Sequence, residues 1–246
     1  MKKILAIAFA LIALPGLAQK EGLVVTYDKT FYWIKIFDKL NYLSVEEKSR
    51  IQTSWGANDE GDKSKGKLLV TADQSKFVDM EQEADGGYRG RKSEYMVFRD
   101  FVKGTKTEVE EFAGKMYVIE DSLVVPSWKV MNKIKDIGGY LCMMAVSEDT
   151  VKGQKITAWF ANDLPYSAGP ERYFGLPGLI LEVDINNGEL VMTASKVEKV
   201  AAVEGLELPK KMKGKKLTTA EYDQMMRKFI SDSIKSRRNP YWSIRY

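Results

Sequence analysis

Few side chains in this 246-residue chain could carry chemistry, and the chemistry open to them is narrow. There is one cysteine, Cys142, within Tyr140-Leu-Cys-Met-Met144, and there is no histidine. Without an imidazole, Ser–His–Asp and Cys–His nucleophiles are excluded, as is every His-ligated metal site. A lone cysteine excludes an intramolecular disulfide and a paired-cysteine zinc site. On a strand, Cys142 and Met144 share a face and could offer two soft sulfurs to copper(I). The competing reading is a small buried hydrophobe. Asp163, Glu171, Glu182 and Asp184 could supply the carboxylate pair of a hydrolase. In Leu181-Glu-Val-Asp-Ile185, however, acids alternate with apolar residues, the pattern of a strand with one solvated face. No Walker loop, Rossmann fingerprint, Gly-x-Ser-x-Gly elbow or HExxH is present. No catalytic residue, metal ligand set or cofactor is therefore assigned.

These residues surround Trp159-Phe-Ala-Asn-Asp-Leu-Pro-Tyr-Ser-Ala-Gly-Pro-Glu-Arg-Tyr-Phe-Gly-Leu-Pro-Gly-Leu-Ile180. The strand-like run Ile156 to Phe160 enters it, and Leu179 to Ile185 leaves it. Pro165, Gly169, Pro170, Gly175, Pro177 and Gly178 rule out a helix or regular strand between them. The apolar content of the span predicts an ordered loop folded onto the sheet. Trp159, Tyr173, Phe174 and Pro177 are its candidate binding residues, with packing of the loop as their other role.

The rest of the chain reads as strands in series. Gly22 to Tyr27 is β-branched. Phe31 to Leu43 is aromatic and ambiguous in period. Ser44-Val-Glu-Glu47 is a capping box opening a short helix to about Trp55. Ala57 to Lys67 reads as a polar loop, and its acids Asp59, Glu60 and Asp62 lack the spacing of a calcium loop. Strands follow at Leu68 to Thr71, Ser75 to Asp79, Glu94 to Arg99, Thr107 to Phe112, Met116 to Ile119, Val124 to Val130, and about the Gly138-Gly139 bend. Gly86-Gly87 and Gly90 mark the longest turn among them. Asn186-Asn-Gly188 is a strong hairpin turn before the return strand Glu189 to Val200. Lys210 to Lys216 form a basic loop. Thr218-Thr-Ala-Glu221 caps a helix whose Tyr222, Met225, Met226, Phe229, Ile230 and Ile234 share one face. The expected fold is mainly β (α+β): one large curved antiparallel sheet or half-barrel of about 9–10 strands, a short N-terminal-region helix and an amphipathic C-terminal helix.

Met1 to Gln19 has the basic, apolar and small-residue segments of a signal peptide. No cysteine follows it, so the expected location is the periplasm or the extracellular space, without a lipid anchor or a transmembrane segment after cleavage. Removing Lys2 and Lys3 from 38 basic residues leaves 36 against 34 acidic, or +2, which gives no case for nucleic acid. Residues 20–236 read as one domain, with 31–66 an inserted helical and loop region and 218–236 the closing helix. Residues 237–246 form a basic-aromatic tail suited to docking on the sheet or on a partner.

Residues 128–181 resemble the GLPGLI family, also called Porph_ging, of exported Bacteroidota proteins. The likeness runs through Trp128, Gly139-Tyr140-Leu-Cys142-Met-Met-Ala145, Ala158-Trp-Phe160, Pro165, Gly169-Pro170 and Gly175-Leu176-Pro-Gly178-Leu179-Ile180. Met144 stands where the family often has lysine, and Leu164 where it has isoleucine. The resemblance implies export, often near outer-membrane systems, and no established enzymatic activity. With the expected curved sheet it points to a binding or carrier module for an outer-membrane or periplasmic protein, or for a lipophilic ligand. A carboxylate hydrolase and copper binding through Cys142 stand as alternatives.

Overall fold

The computed structural model describes residues 21–55, 60–80 and 94–246. The expected signal peptide, Asp59 and the glycine turn at 86–90 lie outside the described residues. The elements, in chain order, are β1 (Gly22–Phe31), α1 (Trp33–Asp38), α2 (Val45–Trp55), β2 (Asp62–Thr71), β3 (Gln74–Asp79), β4 (Met96–Asp100), β5 (Thr105–Phe112), β6 (Lys115–Ser122), β7 (Lys129–Ile137), β8 (Tyr140–Asp149), β9 (Gln154–Ala161), β10 (Leu179–Ile185), β11 (Leu190–Val200), β12 (Lys215–Leu217) and α3 (Thr219–Lys235). A single 3-10 turn, Pro240–Trp242, follows. Among the described residues twelve strands form one open sheet in the order β12-β6-β5-β4-β3-β2-β1-β11-β10-β9-β8-β7. Every pairing is antiparallel except β6 with β12.

The expected sheet is present, with more strands than the 9–10 read from the sequence. Asp62 to Gly66, expected within a loop, begins β2 because it pairs with the far half of β1, Phe31 opposite Asp62. Lys215 and Lys216, expected in a basic loop, form a short edge strand on β6. Val124 to Trp128 is not strand, and β7 starts only at Lys129. Asn186, Asn187 and Gly188 all take positive φ, as the hairpin reading requires. Both capping boxes form: Ser44 with Glu47, and Thr218 with Glu221.

The sheet is coiled. A flat sheet would separate β5 from β10 by roughly 29 Å, six strand spacings. Yet the adjacent residues Glu171 and Arg172, in the β9–β10 connection, reach β1 and β5 respectively. Phe112, Tyr117 and Ile119 of β5–β6 also share one apolar cluster with Ala158 and Phe160 of β9 and Val183 of β10. α1 contributes Ile36 and Phe37 to that cluster, and α3 contributes Tyr222 and Met226. α3 lays its apolar stripe on the sheet, with Phe229 edge-on to Phe112 at 4.9 Å. Among the described residues no helix is long and apolar enough to cross a membrane.

Candidate functional site

The β9–β10 connection, residues 162–178, lies in the concavity of the sheet and is held there mostly by backbone. Leu179 and Ile180 donate their N–H groups to the carbonyls of Leu164 and Ala168, each at 2.9 Å. Tyr27 Oη donates to the Ile180 carbonyl at 2.7 Å, and Trp128 Nε1 to that of Phe174 at 2.8 Å. A Cβ on Gly178 would stand 2.1 Å from the Ala161 carbonyl oxygen, and Gly175 has φ +92°. Two glycines of the hexapeptide are thus fixed by close approach and by backbone conformation.

The loop brings charge into the interior. Glu171 Oε1 meets Arg245 Nη2 and Lys29 Nζ, each at 2.6 Å. Arg245 forks onto both oxygens of Asp79 at 2.8 Å, and Lys29 reaches Asp79 Oδ1 at 3.2 Å. Two carboxylates and two cations, from β1, β3, the loop and the tail, close one network. Beside it, Arg172 Nη2 bridges Glu108 Oε1 at 2.9 Å and Glu110 Oε2 at 3.1 Å. Arg99 donates to the Glu171 carbonyl and lies 4.9 Å from the centre of the Phe174 ring. Burial alone would raise the Glu171 carboxyl, but Arg245 and Lys29 outweigh it and hold it well below the usual carboxylate range. Burial likewise opposes ionisation of Glu108, and Arg172 and Lys106 overcome it, leaving Glu108 at about 2. Both acids are anions at neutral pH, so neither is a general acid. Burial lowers Lys152, which donates to the Arg245 carbonyl at 2.5 Å, to about 8.

Of the four acids considered for hydrolysis only Glu182 and Asp184 are neighbours, on one face of β10, where burial and, after it, Glu182 raise the Asp184 carboxyl. Asp163 is exposed. Glu171 is locked inside. Glu182 pairs with Lys135 at 2.5 Å and accepts from Thr193, while Asp184 caps Gly188 in the hairpin turn. A bulge at Leu181 keeps Glu182 on the side of Trp159, away from Glu171. Cys142 is fully buried against Ala161, and its thiol is pushed up to about 11 by burial. Among the described residues no three His, Cys, Asp or Glu side chains gather as a metal site.

The candidate binding residues divide between the two sides. Tyr173 and Phe174 are buried beneath the loop. Trp159 is half-buried on the other face, with Lys135 Nζ 4.7 Å from its ring centre, and Pro177 is exposed. The tail docks on the sheet: Tyr241, Ile244 and Tyr246 are buried, while Trp242 stacks on Trp33 at 5.2 Å. Tyr246 Oη bonds Glu189 and Lys39. A cleft of about 540 Å³ opens along this seam, lined by Phe31, Trp33, Tyr241, Trp242 and Glu110 among others. The motif residues Gly139 and Tyr140 form the β7–β8 turn and its first strand residue, and Pro165, Gly169, Pro170 and Leu176 shape the loop.

The family model Porph_ging, described as a protein of unknown function, matches residues 147–182. That stretch holds β9, the loop and the hexapeptide, while Trp128 and the Gly139–Ala145 strand lie upstream of it. No curated protein matches the chain. Two solved structures of PNGF-II, in C2 and P21 crystals, are similar in fold, with TM-scores of 0.55 and 0.52 at 16% and 15% identity. They cover 84% and 83% of this chain, and the chain spans 32% of the PNGF-II chain in each.

Proposed function

We propose that the chain is an exported, non-enzymatic binding module of the cell envelope, working through its outer surface and the free end of its sheet. Export rests on the pattern of residues 1–19 and on the family likeness. The observation that carries the binding reading is a contrast between how the concavity and the β7 end of the sheet are finished. The concavity is filled by the chain's own loop and tail, joined by the ion pair of Glu171 with Arg245. Five of the eight exposed large hydrophobics among the described residues, Val124, Val125, Val130, Ile134 and Leu141, gather on β7, its approach and β8. Such clustering marks an interaction surface more often than chance exposure does. The test is native purification of the full chain from the envelope followed by mass spectrometry. The expected result is a protein bound in fixed ratio. A lipid held tightly in the interior, or turnover abolished by one substitution at Asp163, Glu171, Glu182 or Asp184, overturns the reading.

A second reading has its own support: the aromatic cleft along the tail seam is of a size that suits a small lipophilic ligand. Titration with a fluorescent lipophile, with Trp33→Ala as the control, checks it.

A further inference from the structure

We infer that β7 is a docking edge for an extended, acidic and apolar segment of a partner protein, which adds to the sheet as a further strand. This rests on the binding-module reading and names its surface. β7 is the last strand, and among the described residues nothing pairs with its far edge. A terminal strand presents unmatched N–H and C=O groups, which admit strand addition, here on either side of the irregularity at 132–133.

Its side chains set what can bind. Val130 lies opposite Ala145, Ile134 opposite Met143, and Asp136 opposite Leu141. Cross-strand partners share a face, so Val130, Ile134 and Leu141 lie on the side of Ala145 and Met143. That side is the concave one: Ala145 is fully buried in the main core and Met143 packs against it. The register shift between Met131 and Ile134 adds two residues, Asn132 and Lys133, so the alternation survives it and Val130 and Ile134 stay together. The apolar core therefore runs out to the edge and stops uncovered, with Ile134 64% and Leu141 59% exposed. A strand laid beside β7 would extend it.

Charge selects the occupant. Lys129 and Lys133 are exposed and have no carboxylate partner among the described residues, while Asp136 caps Gly139 in the adjoining turn. A second copy pairing β7 antiparallel to itself would bring these lysines together, which is unfavourable. A segment alternating apolar and acidic residues would meet lysine with carboxylate and Ile134 with an apolar side chain.

The test uses the full mature chain with two synthetic peptides, one alternating valine with glutamate and one alternating valine with lysine. Binding is followed by calorimetry, and amide hydrogen exchange locates it. The expected result is binding of the glutamate peptide, slower exchange across 129–137, and weakening with salt. Val130→Glu with Ile134→Glu should weaken binding about tenfold or more, as loss of central apolar contacts does. Lys129→Glu with Lys133→Glu should shift preference to the lysine peptide, and both sites are exposed, so melting curves should match the wild type. Equal binding of both peptides, no binding, or protection elsewhere overturns the proposal. So does a dimer in sedimentation that the Val130→Glu/Ile134→Glu variant abolishes. A native partner that still binds that variant sinks this proposal alone, whereas a catalysed reaction sinks the binding-module reading itself.

Discussion

The middle of the sheet and its free β7 end use lysine and carboxylate in opposite ways. Under the β9–β10 loop, Lys29, Asp79, Glu171 and Arg245 are drawn from four separate parts of the chain and closed into one buried network. At β7, Lys129 and Lys133 stand in solvent beside uncovered valine and isoleucine. A buried charge must be matched within the fold, because its desolvation is otherwise uncompensated. An exposed one is already solvated and remains available to something else. The interior therefore reads as structure, and the edge is the surface we propose for docking.

That contrast breaks if the interior proves dispensable. Glu171→Ala leaves Arg245 and Lys29 with Asp79 as their one remaining shared acceptor, and the expected loss is about 3 kcal/mol, read by urea unfolding. Gly178→Ala should cost about 1–3 kcal/mol by the same measure, since a Cβ meets the Ala161 carbonyl and the core cannot give way without shifting backbone. The network should also impose a pH dependence. Glu171 and Glu108 have folded pKa values below their unfolded ones, so their contribution is complete above about pH 5 and is lost as pH falls towards 2. Lys152 acts at the other end: its folded pKa is about 8 against 10.5, so the unfolded chain binds more protons between these values. Stability contributed by this site rises with pH across that window, and Lys152→Met should remove the rise, as paired melting curves at pH 8 and 10 would show. The smallest effect sharpens the contrast from the other side. Ile134→Ser, at an exposed site, should change stability by no more than about 0.5 kcal/mol, while reducing peptide binding. A large destabilisation there would make β7 part of the core instead.

Local signals were well written in the sequence. The two capping boxes, the Asn186-Asn187-Gly188 turn, the Gly138-Gly139 bend and the apolar stripe of α3 each depend on residues within a turn or two of one another. Elements whose strand character comes from their neighbours were missed. Asp62 to Gly66 is polar and glycine-containing, and it is strand because β1 is long enough to pair with it. Lys215 to Leu217 is strand because the chain after β11 returns to the exposed edge of β6. The hexapeptide's loop was legible from its prolines and glycines, but its acidic residue at 171 read as a possible catalyst. Its real partners, Lys29 and Arg245, lie 142 and 74 residues away, beyond any spacing rule. Cys142 was legible as a buried hydrophobe from its apolar neighbours.

By itself the sequence determined what the chain could not do by histidine or paired-cysteine chemistry, and that its backbone would run as hairpins about one rigid loop. These follow from residue type, local conformational preference and short-range hydrogen bonding. Only the tertiary structure decided which face of that loop is buried, which charges meet, and which strand is left at the end of the sheet. Those outcomes depend on coiling twelve strands around a common core, and the contacts that coiling makes join residues too far apart in the chain for their order to record them.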